Sequence, residues 1–398
     1  MMTTPPWLRA IDAAGLRDAD GTVRATVFAE MSALAAQHDA INLGQGYPDE
    51  DAPAPVTEAA IAAIRAGLNQ YPPGRGTPEL RRAVAEHRER FFGERRDPDT
   101  EVLITAGATE AIAAAMLALV SAGDEVVTLS PFYDAYAAMV GLTGARHVAI
   151  PLEGDDFQPT AAAIDAAIGP NTRVVLLNNP HNPTGSVIAP ELLERIVAAA
   201  ARHDAIIVSD EVYEHLVFDD APFTPIASIP GAAERSLTIS SAAKTFRVTG
   251  WKVGWMTGPA HLIDAAMGVK QYLTYVNGAP FQPAVAVGLG LGDDYFDDQR
   301  RTLAARRDRL SAGLAAAGFA VSPSRGSYFV VADAAPLGVT DANRYARDLT
   351  VERGVAAIPL SAFDPRSRDA RIHSSLRFAF CRTDAQIDEA VRRLTSGR

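Results

Sequence analysis

The chain has 398 residues, with 37 Lys+Arg against 48 Asp+Glu and a formal net charge of −11; the length allows two or three domains, and the sign disfavours nucleic acid or an anionic membrane surface as the main partner. Hydrophobic residues make up 48% and charged residues 21%, which argues against wholesale disorder. The single cysteine, Cys381, excludes an intrachain disulfide and a cysteine-rich metal site, and suits a reducing cytoplasm.

Residues 1–20 carry no basic stretch followed by an apolar run, so no signal peptide is expected. No window approaches the ~18 apolar residues of a membrane helix. Strands are predicted at 101–105, 124–129, 146–151, 172–178, 205–209 and 236–240, with helices from 109 and at 134–142, 161–168 and 190–203. Strands alternating with helices predict an α/β fold with a mostly parallel central sheet flanked by helices, and chemistry at the carboxyl ends of its strands. The last third changes character, with helices at 297–317, 341–353 and 384–394 and strands at 328–331 and 376–380, as in a smaller α+β domain. We therefore expect a large domain over 45–290 and a small one built from 1–44 and 291–398.

Four motifs carry chemistry. Ser240-Ser241-Ala242-Ala243-Lys244 follows a strand, and Thr249-Gly250-Trp251-Lys252-Val253-Gly254 follows it. A lysine in a small-residue loop can be partly desolvated, its pKa falls, and it can form a Schiff base; a surface loop lysine is the plain alternative. Asn178-Asn179-Pro180-His181-Asn182-Pro183-Thr184-Gly185 follows the strand ending at Leu177. Its prolines are expected to hold it extended and present Asn182 as a donor, although Asn, Pro and Gly also make ordinary turns. In Ser209-Asp210-Glu211-Val212-Tyr213 an apolar strand delivers Asp210 to its end, either to keep a ring nitrogen protonated or as a helix N-cap. Ala106-Gly107-Ala108-Thr109-Glu110 joins a strand to a helix with small residues, so backbone amides can approach a phosphate. Asn182, Asp210 and Lys244 are 28 and 34 residues apart, each just after a strand of one expected sheet, so they can converge at one edge.

On these residues the sequence resembles the class I/II aminotransferases of fold type I, which use pyridoxal 5′-phosphate, over nearly its whole length. The likeness is closest to the group holding kynurenine/glutamine and N-succinyldiaminopimelate aminotransferases, through Leu43-Gly44-Gln45-Gly46-Tyr47-Pro48-Asp49, Asn69-Gln70-Tyr71-Pro72-Pro73-Gly74 and Gly250-Trp251-Lys252-Val253-Gly254-Trp255. The resemblance implies that Lys244 is covalent anchor and general base, that Asp210 pairs with the pyridinium nitrogen, and that Asn182 and Tyr213 donate to the ring's phenolic oxygen. It implies a phosphate cradle of Ala108, Thr109, Ser241 and Lys252, and Tyr133 stacked on the ring. Arg377 matches the arginine that grips the substrate α-carboxylate, although an arginine in an alternating strand would by itself read as outward-facing; Gly44 matches the backbone that closes over that carboxylate. Tyr71 matches a phosphate ligand given by a partner subunit, which implies a homodimer with shared sites. Lys252, where aspartate aminotransferases have an arginine, and Tyr133, where they have a tryptophan, argue against a dedicated aspartate enzyme.

The implied reaction is ping-pong transfer of an amino group between an amino acid and a 2-oxo acid, with N-succinyl-LL-diaminopimelate in lysine biosynthesis as the favoured substrate. Kynurenine, glutamine or methionine transamination and cysteine-conjugate β-elimination are the alternatives. Phe28, Tyr47, Phe281 and Gln282 are candidates for the side-chain pocket, with the Phe281 loop possible from the partner; Arg24, Arg75 and Lys270 are candidate cations for a distal carboxylate. Core packing explains the aromatic residues equally well. Gly288-Leu289-Gly290-Leu291-Gly292 has the wrong spacing for a dinucleotide site, and no His/Glu or Cys/His spacing points to a catalytic metal.

Overall fold

The computed structural model describes residues 4–396. Its main sheet has eight strands, in the order Val102–Thr105, Gly254–Thr257, Ser236–Ser241, Ile206–Asp210, Thr172–Asn178, Glu125–Ser130, Arg146–Glu153 and Gln158–Pro159. The run from Ser236–Ser241 to Arg146–Glu153 is parallel throughout. Its central strands, such as Ile206–Asp210 and Glu125–Ser130, are buried at every position, which is why their apolar residues fall in consecutive runs, Ile206–Val208 and Val126–Val127, rather than alternating with exposed polar ones. Gly254–Thr257, a strand the sequence reading does not include, lies antiparallel between Ser236–Ser241 and Val102–Thr105.

Most predicted elements appear within a few residues. The long charged helix starts earlier than expected, at Asp293, with Asp293 and Asp294 in its first turn, where the helix dipole favours negative charge. The helix expected from 109 starts at Gly107. Pro78–Phe92 and Asp134–Thr143 each stop at a glycine in the left-handed conformation, Gly93 and Gly144.

A second, antiparallel sheet orders Ala320–Val321, Phe329–Asp333, Ser375–Ala379 and Ile358–Pro359. Ile41–Asn42 pairs in parallel with Val355–Ala356, which ties the early chain to the late chain. The first helix, Pro6–Ala13, lies elsewhere: it packs on Asp134–Thr143 beside the main sheet, and Arg9 donates to the carbonyls of Gly141 (3.1 Å) and Leu142 (3.0 Å). Among the described residues no helix is long and apolar enough to cross a membrane.

Candidate active site

A cavity of about 420 Å³ opens at the carboxyl ends of the parallel strands. Its walls bring together Ala108, Thr109, Tyr133, Asn182, Asp210, Tyr213, Ser241, Lys244, Lys252, Arg377 and Phe28, all drawn from the sequence.

Lys244 sits on the short helix Ala242–Thr245, directly after a strand whose last residue, Ser241, caps that helix by accepting from the amide of Ala243 at 3.1 Å. Its amine donates to the carbonyl of Gly46 at 3.2 Å and lies 5.8 and 5.5 Å from the ring centres of Tyr213 and Tyr328. Burial lowers its pKa to about 8, since charge is costly away from water.

Asp210 ends its strand, as expected. Its carboxylate accepts from the hydroxyl of Tyr136 at 2.6 Å and the amide of Val212 at 3.4 Å. Burial raises its pKa to about 6, and no described cation makes an ion pair with it.

The loop carrying Asn182 is not extended: it doubles back, with the amide of Gly185 bonded to the carbonyl of His181 at 2.8 Å and that of His181 to Ser186 at 2.9 Å. The turn arises because Asn178 side-chain oxygen takes the amide of Asn182 at 2.7 Å while its nitrogen donates to the carbonyl of Asp210 at 2.8 Å. Asn178 thus locks two site residues together.

Arg377 points inward and is only 2% exposed. It donates to Asn182 Oδ1 at 2.8 Å and to the carbonyl of Gly44 at 2.6 Å. The rings of Phe329, Phe363 and Phe28 surround the guanidinium, with centres 3.9, 4.7 and 5.5 Å from Cζ. Its Nε has no partner, and no described carboxylate pairs with it. Because a guanidinium only donates, it turns the oxygen of Asn182 toward itself and leaves the amide nitrogen for the cavity. Gly44 acts here through its carbonyl, which orients the arginine, while its own amide is taken by Asn42 Oδ1 at 2.9 Å.

At the other end of the cavity the helix Gly107–Leu119 begins without a side-chain cap, so its first amides are available to an anion. Gly254 makes this cradle possible: a Cβ there would meet Gly107 C at 2.7 Å and Ala108 N at 2.9 Å. Lys252 adopts a left-handed backbone (φ +54°), and its amine would lie 3.5 Å from a Cβ on Gly107.

Several expected residues lie elsewhere. Tyr71 is 81% exposed and packs edge-on against Tyr275. Phe281 stacks on Trp251 at 4.7 Å, and Gln282 is a buried tie between the amide of Thr77 and the carbonyl of Asn277. Tyr47 lies outside the cavity under the guanidinium of Arg382 at 4.9 Å. The candidate distal cations are engaged too: Arg24 pairs with Asp18, Arg75 with Asp264, and Lys270 donates to the carbonyls of Gly74 and Tyr275. None of these residues lines the cavity.

Reading the sequence missed Tyr136, Asn178, Gly46, Tyr328 and the carboxylate of Asp134, which also faces the cavity and is pushed upward in pKa by burial. It also missed the support behind Asp210 and Tyr213. There Arg88 is buried among Glu94 (2.6 Å), Glu211 (3.2 Å) and Glu214, and burial pushes Glu211 and Glu214 up to about 7. His87, His215 and Glu214 bring possible metal-ligand atoms within 4.8 Å. The two imidazoles, however, bond each other at 2.7 Å, and Glu214 is held by Arg88 and by Ser240 Oγ at 2.8 Å.

An uncapped helix start, a buried carboxylate lacking a counter-ion, a desolvated lysine and a buried arginine without a carboxylate are complementary to pyridoxal 5′-phosphate with an amino acid beside it. The comparisons with known proteins agree. The model of the family "Aminotransferase class I and II" matches residues 38–394, so the chain belongs to that family and is a pyridoxal 5′-phosphate-dependent aminotransferase. It is 52% identical over 378 residues to the "Probable N-succinyldiaminopimelate aminotransferase DapC" of Mycobacterium tuberculosis, covering 93% of this chain and 95% of the relative. It is 37% identical over 369 residues to the methionine aminotransferase of Escherichia coli, covering 93% and 95%. The solved structure of N-succinyldiaminopimelate aminotransferase from Mycobacterium tuberculosis superposes with a TM-score of 0.91 at 52% identity, covering 93% of this chain and 97% of that one.

Proposed function

We propose that this aminotransferase moves an amino group between N-succinyl-LL-diaminopimelate and a 2-oxo acid, in lysine biosynthesis in the cytoplasm. The observation that carries the substrate reading is the likeness to the mycobacterial relative, which far exceeds that to methionine aminotransferase. We assign residues 45–290, with the helix Pro6–Ala13 that packs on them, to the cofactor-binding domain, and residues 291–398, with the early segment paired through Ile41–Asn42, to the smaller one.

Pyridoxal phosphate supplies an electron sink for charge developing at the substrate α-carbon. The Ala108 and Thr109 amides, Ser241 and Lys252 hold its phosphate, and Tyr133 covers the ring. The carboxylate of Asp210 would pair with the ring nitrogen and keep it protonated, and such a cation would offset the burial that raises its pKa. Asn182 and Tyr213 donate to the phenolic oxygen. Arg377 and Asn182 orient the α-carboxylate, with Gly44 setting the arginine and Phe28 walling the pocket. Lys244 would hold the cofactor, and its amine, when free, would be the group that takes and returns the proton at the substrate α-carbon. Its pKa near 8 leaves an appreciable free-amine fraction at neutral pH.

Tyr71, Tyr272, Tyr275 and Leu273 form an exposed apolar patch, larger than isolated surface residues would explain. We propose that it is the homodimer interface, where Tyr71 of the partner subunit completes the phosphate cradle and the Phe281 loop borders the neighbouring pocket.

One observation favours a second substrate reading. The cavity offers aromatic walls, Phe28, Tyr133 and Phe329, and no cation beyond Lys244, Lys252 and Arg377. Kynurenine, glutamine or methionine fits those walls without a distal charge, and a cysteine-conjugate β-lyase would use the same groups. Steady-state kcat/KM with N-succinyl-2-amino-6-oxopimelate and glutamate, compared with kynurenine, glutamine and methionine, decides. The succinylated substrate is expected to lead by at least tenfold; a lower value rejects the preference, and pyruvate released from a cysteine conjugate without added oxo acid would point to the lyase.

A further inference from the structure

Gly46, Tyr328 and Lys244 meet at one backbone oxygen. The carbonyl of Gly46 accepts from the Lys244 amine at 3.2 Å and from the Tyr328 hydroxyl. The approach requires glycine, because a Cβ at residue 46 would fall 2.6 Å from Phe329 Cζ and 3.3 Å from Tyr328 Cε2. Tyr328 is buried and fixed by edge-on contacts with Tyr213 at 5.1 Å and Phe329 at 4.8 Å.

We propose that Tyr328 is a positioning residue that tunes the released Lys244 by sharing the Gly46 carbonyl with it. Two donors on one carbonyl weaken each other, and a charged ammonium loses more from this than a neutral amine does. Sharing therefore disfavours the charged lysine and keeps more of it able to take a proton. Burial raises the pKa of the Tyr328 hydroxyl far above its usual range, so it remains a donor at every working pH. The same wall faces a second cavity, of about 190 Å³, lined by Lys244, Tyr328, Cys381, Glu50, Arg247 and Arg306 among others. The groups facing the amine are thus Asp210, Tyr213, Lys252, Arg377, Tyr328 and Cys381, the last a buried thiol pushed up to about 11. Of these, Tyr328 is the one bonded to the oxygen that receives the lysine.

This inference rests on Lys244 being the amine that moves the proton. The test uses Tyr328→Phe, which removes the hydroxyl and keeps the ring. Holoenzyme is converted to its amine form with amino donor and no acceptor, where Lys244 is not covalently engaged. Competitive acetylation with acetic anhydride from pH 6 to 10, read by mass spectrometry, then gives the Lys244 pKa. The expected result is an upward shift of about half a unit to one unit, the effect of one hydrogen bond. Turnover at pH 7 should correspondingly fall about three- to tenfold and recover by about pH 9.5. An unshifted or lowered labelling pKa, or a loss equal at both pH values with no labelling shift, overturns the proposal. A labelling shift that turnover does not follow supports the tuning and instead removes Lys244 as the proton-moving base. Should Tyr328→Phe fail to fold, 4-fluorophenylalanine incorporated at position 328, which keeps the ring and fills the hydroxyl's space without donating, is expected to give the same upward labelling shift.

Discussion

Replacing Arg377 with lysine keeps a positive charge at the base of the cavity but removes the planar fork. In the structure the guanidinium is already held by Asn182 Oδ1 and the carbonyl of Gly44, and is enclosed by three phenyl rings. It enters the reaction pre-aimed, with burial lowering its pKa only to about 10, so it is charged throughout the working range. A bidentate, charge-assisted pair with a carboxylate loses one of its two bonds when lysine replaces arginine. That loss is worth about 2–3 kcal/mol at a desolvated site, or roughly 30- to 150-fold in kcat/KM at ~1.36 kcal/mol per decade. Single-turnover absorbance of the bound cofactor should show this loss with any α-amino acid. An amine without a carboxylate should react equally with both enzymes. Equal losses for the two kinds of substrate, or a change under about threefold for amino acids, would refute the assignment of Arg377 to the carboxylate.

Lys244→Ala should bind cofactor without a borohydride-reducible link and should show no turnover; normal turnover would remove the central assignment. Asp210→Asn should stabilise the cofactor-free protein at pH 7 by about 2–3 kcal/mol, read by denaturant unfolding. The carboxyl pKa, raised to about 6 from the ordinary aspartate value of 3.8, means that the wild-type site loses stability as pH climbs through that window and not below it. The advantage should vanish at pH 4 and reverse when cofactor is bound, and a pH-independent difference would contradict the reasoning. Gly254→Ala should weaken cofactor binding at least tenfold and cost about 1–3 kcal/mol of stability, as overpacking does, because its Cβ would press on the amide of Ala108. Unchanged cofactor affinity in a titration would show that the cradle is not at that helix start.

The sheet and the chain's convergent residues were legible because each signal was local. An apolar run ending in Asp210, another ending before Asn178, and a small-residue loop carrying Lys244 are readable in windows of about ten residues. Contacts between distant segments were not. Arg377 reads as an exposed strand arginine until Phe28, Gly44 and Asn182, from three separate segments, are seen to close around it. Tyr136 looks like one more apolar helix residue, and only the fold shows its hydroxyl on Asp210. Phe281 and Gln282 are pocket candidates only through the resemblance, and in the structure they begin a helix packed against Trp251 and Thr77.

What the fold adds is an unusual distribution of unmatched charge. Buried ionic groups are ordinarily paired, and just behind the site the chain follows that rule: Arg88 is enclosed by Glu94, Glu211 and Glu214. Among the described residues, Asp210 on the cavity side of the same turn makes no ion pair with a cation, and Arg377 at the same cavity makes none with a carboxylate. Lys244 rests on a carbonyl rather than an acid. Moving Asp210 and Arg377 together would cancel both costs, yet the strands hold them apart at separate walls. Uncompensated buried charge is expensive, and it is tolerable here because a cationic ring nitrogen and an anionic carboxylate each arrive with the molecule that the enzyme acts on or through. The turn spanning residues 210–216 therefore serves two purposes: Glu211 and Glu214 anchor it rigidly to Arg88, and that rigidity lets Asp210 and Tyr213 face the cavity in fixed positions, Asp210 held by the Tyr136 hydroxyl and the Val212 amide but by no ion pair.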